Sequence, residues 1–152
     1  MILRPLGAGE MPALRALHDA SFAALGAAYD DAVKAAHAAL VAEAAYAEEV
    51  ARCDLWVAEG RDDRLLASAG WCAEGGRCRI RKVFVHPDAA RQGLATRLVR
   101  AAEARSGLAR FTLRAYLDAV PLYERLGYRA VEPARMALPG GLSMPVLMME
   151  RP

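Results

Sequence analysis

The fold of this chain is decided by residues 80–105, which read IRKVFVHPDAARQGLATRLVRAAEAR. The segment begins as a β-rich run, passes through a His-Pro-Asp turn and a loop of small residues around Gly93, and ends as an amphipathic helix. Unpaired N–H groups at the start of a helix, together with the helix dipole, favour negative charge. This order of strand, loop and helix therefore predicts a site for a phosphorylated ligand.

Length and composition limit the class of protein. A chain of 152 residues with a net charge of +2 has the size of one domain, so we expect a single domain over residues 1–152. Acidic and basic residues are interspersed, which argues against a nucleic-acid surface. No stretch reaches the roughly 18 apolar residues of a membrane span, and the N-terminus lacks a signal-peptide pattern. We expect a cytoplasmic protein without a nucleic-acid or membrane partner.

The cysteines point to no special chemistry. Cys53, Cys72 and Cys78 are odd in number and lack the spacing of metal ligands. Free buried thiols are the simplest interpretation of such residues. The sequence therefore predicts neither a disulfide nor a metal site.

Hydrophobic periodicity and turn residues predict a mixed α/β fold: an antiparallel meander, a β-α-β crossover, a short helix and a closing hairpin. The predicted strands cover residues 2–5, 55–58, 65–72, 79–85, 111–115, 128–138 and 144–149. The predicted helices cover residues 10–25 (ended by Gly26), 30–52 (with a break near Ala44), 94–105 (ended by Ser106 and Gly107) and 121–126. Asp118 is predicted to cap the last of these helices, in preference to a catalytic role.

A second motif identifies the ligand. Residues 122–128 read LYERLGY, and with the upstream VFVHPDAARQGLATRLV they resemble the GNAT superfamily of acetyl-coenzyme A-dependent N-acyltransferases. The family loop is roughly Gln/Arg-x-x-Gly-x-Gly/Ala, and Gly93 and Ala95 match its last two positions. Ala90 stands where Gln or Arg is usual, which leaves the pyrophosphate to backbone N–H groups. The resemblance covers roughly residues 54–151, and a Rossmann-type dinucleotide fingerprint is absent.

The resemblance implies a fold and a reaction. The fold would be GNAT-like, with a central, mostly antiparallel mixed sheet splayed around a β-α-β coenzyme A site and helices on both faces. Acetyl-coenzyme A would be the co-substrate, with no metal, and the acetyl group would pass directly to an amine in a ternary complex. The acceptor would be an amine on a small molecule, a peptide or a protein. A homodimer is frequent among such folds.

The resemblance also assigns roles to residues. Tyr123 matches the family tyrosine that faces the coenzyme sulfur, and we predict it to be the general acid, although a packed aromatic would fit the same pattern. Val83, Phe84 and Val85 are predicted to pair with the pantetheine arm through their backbone, the N–H near Val85 being the candidate oxyanion donor. The residues predicted to line the pyrophosphate are Arg91, Gln92, Gly93, Leu94, Ala95, Thr96 and Arg97.

The general base is not assigned. Many family members carry a glutamate on the strand before the loop, where this chain has Arg79, Arg81 and Lys82. His86 next to Pro87 fits a turn residue better than a base. The N-terminal region has acidic and aromatic residues that would suit a cationic amine or form solvated helix faces. They are Tyr29, Asp30, Asp31, Glu43, Tyr46, Glu48 and Glu49.

Two other hypotheses stay open. The missing strand glutamate leaves room for a non-catalytic acyl-coenzyme A-binding or regulatory module with this fold, which the retained Tyr123 argues against. A transferase acting on aminoacyl-tRNA is disfavoured by the modest net charge of +2.

Overall fold

The computed structural model describes residues 1–25 and 28–152, so Gly26, the predicted end of the first helix, lies outside the described residues. The strands are β1 (Ile2–Pro5), β2 (Asp54–Glu59), β3 (Leu65–Glu74), β4 (Arg77–Val85), β5 (Phe111–Tyr116), β6 (Arg129–Ala137) and β7 (Ser143–Arg151). The helices are α1 (Met11–Ala23), α2 (Asp31–Ala42), α3 (Ala44–Ala51), α4 (Leu94–Ser106) and α5 (Val120–Arg125). The predicted mixed α/β class is confirmed.

The strands form one sheet in the order β1-β2-β3-β4-β5-β7-β6. Every neighbouring pair is antiparallel except β4 and β5, which run parallel. Parallel neighbours need a crossover connection, and α4 supplies it. The mostly antiparallel sheet and the single β-α-β unit were both predicted.

Helices cover both faces of the sheet. Ala58 packs in a core cluster with Leu98 and Val99 of α4. Its neighbour Val57 packs in a second cluster with Leu14 of α1. Because successive strand residues point to opposite faces, α4 and α1 lie on opposite sides of the sheet. None of the helices in the described ranges is long and apolar enough to cross a membrane.

The two predicted helix boundaries of interest have different outcomes. The break near Ala44 is confirmed, since Glu43 has extended backbone (ψ 149°) and separates α2 from α3. The prediction that Asp118 caps α5 is wrong, because Asp118 lies within a 3₁₀ turn and the residue before the helix is Ala119. Pro121 in the first turn of α5 has no N–H to satisfy and a preset φ, which reduces the need for a side-chain cap.

The three cysteines are free thiols; Cys78 is buried as predicted, whereas Cys53 and Cys72 are only partly buried. Burial raises the pKa of the Cys53 and Cys78 thiols. Since the thiolate is the reactive form, these side chains act as small apolar groups rather than nucleophiles.

Candidate functional site

A β-bulge bends β4 in the middle of the sheet. Ser68 of β3 pairs with Phe84 and Gly70 pairs with Arg81, so Lys82 and Val83 stand opposite a single residue. Lys82 has a φ of 58°, and its carbonyl accepts a hydrogen bond of 2.7 Å from the Ser68 hydroxyl. A bulge bends its strand and increases the local twist. The bulge therefore turns the second half of β4 away from its neighbour.

The consequence is a splayed sheet. The parallel pairing of β4 with β5 ends at Ile80 and Leu113. From Arg81 onward, the edge of β4 that faces β5 has no strand beside it among the described strands. Backbone N–H and C=O groups on such an edge are free to bind an extended ligand.

A cavity of about 380 Å³ opens where the two strands diverge. This volume lies in the usual range for small-molecule sites. Among the residues predicted for the site, five line this cavity: Val83, Phe84, Val85, Ala95 and Tyr123. In the described parts of the chain, no group of His, Cys, Asp or Glu side chains is arranged to hold a metal ion.

The N-terminus of α4 presents free donors beside this cavity. The backbone N–H groups of residues 91–96 have no hydrogen-bond acceptor within the described ranges, and the first helical bond runs from Arg97 N–H to the Gly93 carbonyl at 3.1 Å. Arg91 (φ 63°) and Gly93 (φ 73°) take the left-handed conformation that turns the chain into the helix. Consecutive free N–H groups at a helix N-terminus make an anion site.

Glycine is favoured at position 93 by the backbone conformation rather than by crowding. A Cβ placed on it would meet no protein atom within 4 Å. Its positive φ nevertheless favours glycine, and a side chain would stand in the open space beside the free N–H groups.

Tyr123 lies on the short helix α5 and lines the cavity. The residue is 5% exposed, and its ring contacts Tyr128 edge-on at a centroid distance of 6.0 Å. Burial raises the pKa of the Tyr123 phenol, so the hydroxyl stays protonated around neutral pH. A protonated phenol beside a cavity is suited to act as a general acid.

A second tyrosine lines the cavity from the end of β5. The Tyr116 hydroxyl lies 2.8 Å from Nε2 of His37. His37 is 1% exposed, and its Nδ1 has no partner among the described residues. An unpaired N–H costs more than an unpaired lone pair, so the network favours the tautomer with the proton on Nε2. In that tautomer His37 donates to Tyr116, and the Tyr116 hydroxyl can donate toward the cavity.

We expect the free energy of unfolding to fall as the pH drops from about 6.5 to about 4. Burial lowers the pKa of His37 from 6.5 to about 4, so over this interval the unfolded chain binds a proton that the folded protein does not. The contribution of neutral His37 to the free energy of unfolding is fully present above the pKa of the unfolded chain. It is lost as the pH falls toward the folded-state pKa, and the loss amounts to roughly 3 kcal/mol. Buried His18, whose pKa is also lowered, acts in the same direction.

Urea denaturation at pH 7 and pH 4.5 measures this effect. The His37→Asn variant should lose less stability over the interval than the unsubstituted protein does. Equal losses in both proteins would show that His37 does not titrate as described.

The cavity wall is cationic where the resemblance led us to look for a glutamate. Glu49 of α3 accepts hydrogen bonds from Lys82 Nζ at 2.7 Å and from Arg81 at 3.2 Å. Lys82 Nζ also lies 3.9 Å from the centre of the Tyr46 ring, and burial lowers the pKa of this lysine. The cations that line the cavity are Arg79, Arg81, Lys82 and Arg114.

The residues predicted to line the pyrophosphate differ in which groups, backbone N–H or side chain, they can present to a ligand. Leu94 is 2% exposed and packs in the core against Leu98, so only its N–H faces the loop. The N–H of Arg97 is used inside α4, which leaves its exposed side chain as the group it can offer. His86 is a turn residue, as predicted, because its Nδ1 accepts from the Asp88 N–H at 3.1 Å.

The splayed mixed sheet, with free N–H groups at the central helix and a cavity beside them, has the architecture of an acetyltransferase. Residues 24–137 match the family described as Acetyltransferase (GNAT) domain. The chain therefore belongs to the GNAT acetyltransferase family. No curated protein matches the chain.

Solved structures agree on the fold. A GCN5-related N-acetyltransferase from Rhodopseudomonas palustris is 22% identical with a TM-score of 0.86, covering 99% of this chain and 94% of that one. The PaiA N-acetyltransferase of Thermoplasma acidophilum, in complex with coenzyme A, is 13% identical with a TM-score of 0.76 (coverage 99% and 97%). The ribosomal-protein-S18-alanine N-acetyltransferase of Escherichia coli is 18% identical with a TM-score of 0.66 (coverage 99% and 92%). The predicted GNAT-like architecture is confirmed.

Sequence reasoning missed Arg114 and Tyr116, which line the cavity, and His37, which contacts Tyr116. Arg114 and Tyr116 alternate along β5 with the core residues Leu113 and Ala115. This alternation was a usable signal that one face of the strand carries polar chemistry. The contact between His37 and Tyr116 joins residues 79 positions apart, and no local pattern indicates it.

Proposed function

We propose that the protein transfers an acetyl group from acetyl-coenzyme A to an amine of a small molecule or a peptide. The observation that carries the proposal is the set of free N–H groups of residues 91–96 beside a cavity lined by Tyr123. The free N–H groups suit a pyrophosphate, and the Tyr123 phenol suits a departing thiolate. Membership of the GNAT family supports this assignment, as does the fold shared with a coenzyme A-bound N-acetyltransferase.

The backbone of β4 would hold the donor. Val83, Phe84 and Val85 lie on the edge that has no neighbouring strand beyond Ile80, so their N–H and C=O groups would pair with the pantetheine arm. The N–H near Val85 would stabilise negative charge on the thioester oxygen as the amine attacks. Acetyl-coenzyme A supplies the activated acetyl group when bound.

Tyr123 would protonate the departing sulfur. A phenol ordinarily has a pKa of about 10 and a thiol about 8.5. The burial that raises the pKa of Tyr123 would also raise the pKa of a thiol in the same cavity, which keeps the proton transfer accessible. The place of Tyr123 beside the cavity and its protonated state support this role.

The positive charge of the cavity wall would make a general base less necessary, because it would favour the neutral form of the acceptor amine. Arg79, Arg81 and Arg114 line the cavity, and nearby positive charge lowers the pKa of a bound ammonium group. An amine entering this field loses its proton more readily than it does in water. This offers a physical reason why the chain lacks a glutamate on β4.

Release of coenzyme A, measured over a panel of amines, peptides and aminoacyl-tRNA, tests the proposal. We expect release that depends on an amine or peptide acceptor and on acetyl-coenzyme A together. Tight binding of acetyl-coenzyme A with no release for any acceptor would favour the non-catalytic module instead. Release of coenzyme A with aminoacyl-tRNA alone would identify the protein as a transferase acting on aminoacyl-tRNA.

A further inference from the structure

One cation of the cavity wall makes no direct ion pair with the described residues. Glu49 pairs with both Arg81 and Lys82, whereas Arg114 makes no hydrogen bond or ion pair with any residue that the structure describes. Burial lowers the pKa of the Arg114 guanidinium; Arg79 and Arg81 act in the same direction, whereas Tyr116 and Glu49 act in the opposite one. Leaving a partly buried charge unpaired is costly. The arrangement is therefore better suited to a state in which an anion occupies it.

The position of Arg114 in the sheet strengthens this point. Ile80 and Leu113 are the last paired residues of the parallel strands β4 and β5. The next residue on each strand is an arginine, so Arg81 and Arg114 flank the point where the strands begin to diverge. Like charges at neighbouring positions of a sheet repel each other. An anion bound between them would relieve the repulsion.

A third arginine completes the group. Arg79 also lines the cavity, and it pairs with the exposed Glu74 at 3.3 Å. The Nε of Arg79 is buried and has no partner in the described ranges. The cavity thus has a wall with three guanidinium groups, of which one is unpaired and another has a free donor.

We propose that Arg114, together with Arg79 and Arg81, binds a carboxylate on the acceptor, so that the substrate is an amine carrying a carboxylate, such as an amino acid. A planar guanidinium binds a carboxylate through two parallel hydrogen bonds, which would also orient the amine. The inference rests on the proposed acetyl transfer and names the class of acceptor for the same cavity.

The side of the sheet separates this anion subsite from the phosphates of the donor. Leu113 and Ala115 pack in the core cluster that contains α4, so Arg114 between them faces the opposite side of the sheet. The free N–H groups proposed for the pyrophosphate begin α4. The anion subsite therefore lies across the sheet from the nucleotide end of the donor.

Matched acceptor pairs test the proposal. Glycine, β-alanine and γ-aminobutyrate are compared with methylamine, ethylamine and propylamine, using coenzyme A release to obtain kcat/KM. We expect the carboxylate member of at least one pair to be preferred by about tenfold or more. Arg114→Gln should lower kcat/KM for that acceptor by about ten- to a hundredfold more than it lowers kcat/KM for its neutral partner. Arg114→Lys should restore part of the preference.

Arg110→Gln is the matched control, because Arg110 is exposed just before β5 and does not line this cavity. It should leave both members of each pair unchanged. Two further compounds test other sources of the anion. Aminomethylphosphonate is an acceptor with a phosphonate in place of the carboxylate, and succinyl-coenzyme A is a donor with a carboxylate on its acyl chain. Equal kcat/KM within every pair, or a preference that survives in Arg114→Gln, would overturn the proposal. So would a preference that appears only with the phosphonate or with succinyl-coenzyme A.

If the protein does not turn over any acceptor, binding measurements still test the carboxylate site. If no acceptor releases coenzyme A, the proposed function fails, and calorimetric titration of the amino acids into the coenzyme A-saturated protein decides the subsite. Binding that Arg114→Gln removes and Arg110→Gln retains would support the carboxylate site on its own. If neither turnover nor binding is observed, the carboxylate site is refuted.

Discussion

Replacement of Gly93 by leucine is expected to abolish the binding of acetyl-coenzyme A. Gly93 has a φ of 73° and precedes α4 in the run of free N–H groups from residue 91 to residue 96. A leucine side chain would strain this conformation and occupy the space that a pyrophosphate needs. Losing two or more charge-assisted hydrogen bonds should weaken binding by about a hundredfold or more, as measured by titration calorimetry.

Gly107 offers a matched control at the other end of the same helix. Its φ is 66°, and a Cβ on it would also meet no atom within 4 Å. Gly107→Leu should therefore carry a similar conformational cost while leaving affinity for acetyl-coenzyme A intact. If Gly93→Leu bound the donor as tightly as Gly107→Leu does, the pyrophosphate could not lie where we place it.

The second large effect is expected from Tyr123→Phe. Removing the hydroxyl deletes the proposed general acid but keeps the ring that packs against Tyr128. Turnover should fall by about a hundredfold or more, in line with the usual contribution of a positioned acid. The dissociation constant for acetyl-coenzyme A should stay nearly unchanged, so the loss belongs to the chemical step.

Tyr128→Phe separates this effect from loss of a buried phenol. The Tyr128 hydroxyl donates to Glu103 at 2.6 Å, and Tyr128 does not line the cavity. The variant should lose thermal stability while keeping turnover. Unchanged turnover in Tyr123→Phe would remove this tyrosine from the mechanism and restore its interpretation as a packed aromatic.

Local patterns were sufficient to predict the elements of the fold. Alternating strands, the loop around Gly93 and the LYERLGY motif each lie within a short stretch of sequence, and the elements that they predict form. The break at Glu43 also followed from local periodicity. The cap predicted at Asp118 failed because the 3₁₀ turn that begins at Leu117 moves the start of α5 by one residue.

Features that depend on long-range contacts could not be predicted in this way. The bulge that opens the site is at Lys82, whose positive φ of 58° is unusual for a residue that is not glycine. Its conformation is held by the Ser68 hydroxyl from the neighbouring strand. The ion pairs of the cavity wall were equally hidden, because Glu49 reaches Lys82 and Arg81 from a separate helix.

The charge of the wall changes how the missing base is understood. A glutamate on β4 would accept a proton from the acceptor, whereas the arginines here would lower the pKa of its ammonium group. The two arrangements favour the same neutral amine by different means. A carboxylate on the acceptor would sit against Arg114 and leave the amine free to face Tyr123 and the β4 edge.

A crystal structure of the protein with coenzyme A bound would test the placement of the donor. We expect the pyrophosphate on the N–H groups of residues 91–96, the pantetheine arm along residues 83–85, and the sulfur beside the Tyr123 hydroxyl. A pyrophosphate bound elsewhere, or a sulfur remote from Tyr123, would contradict it.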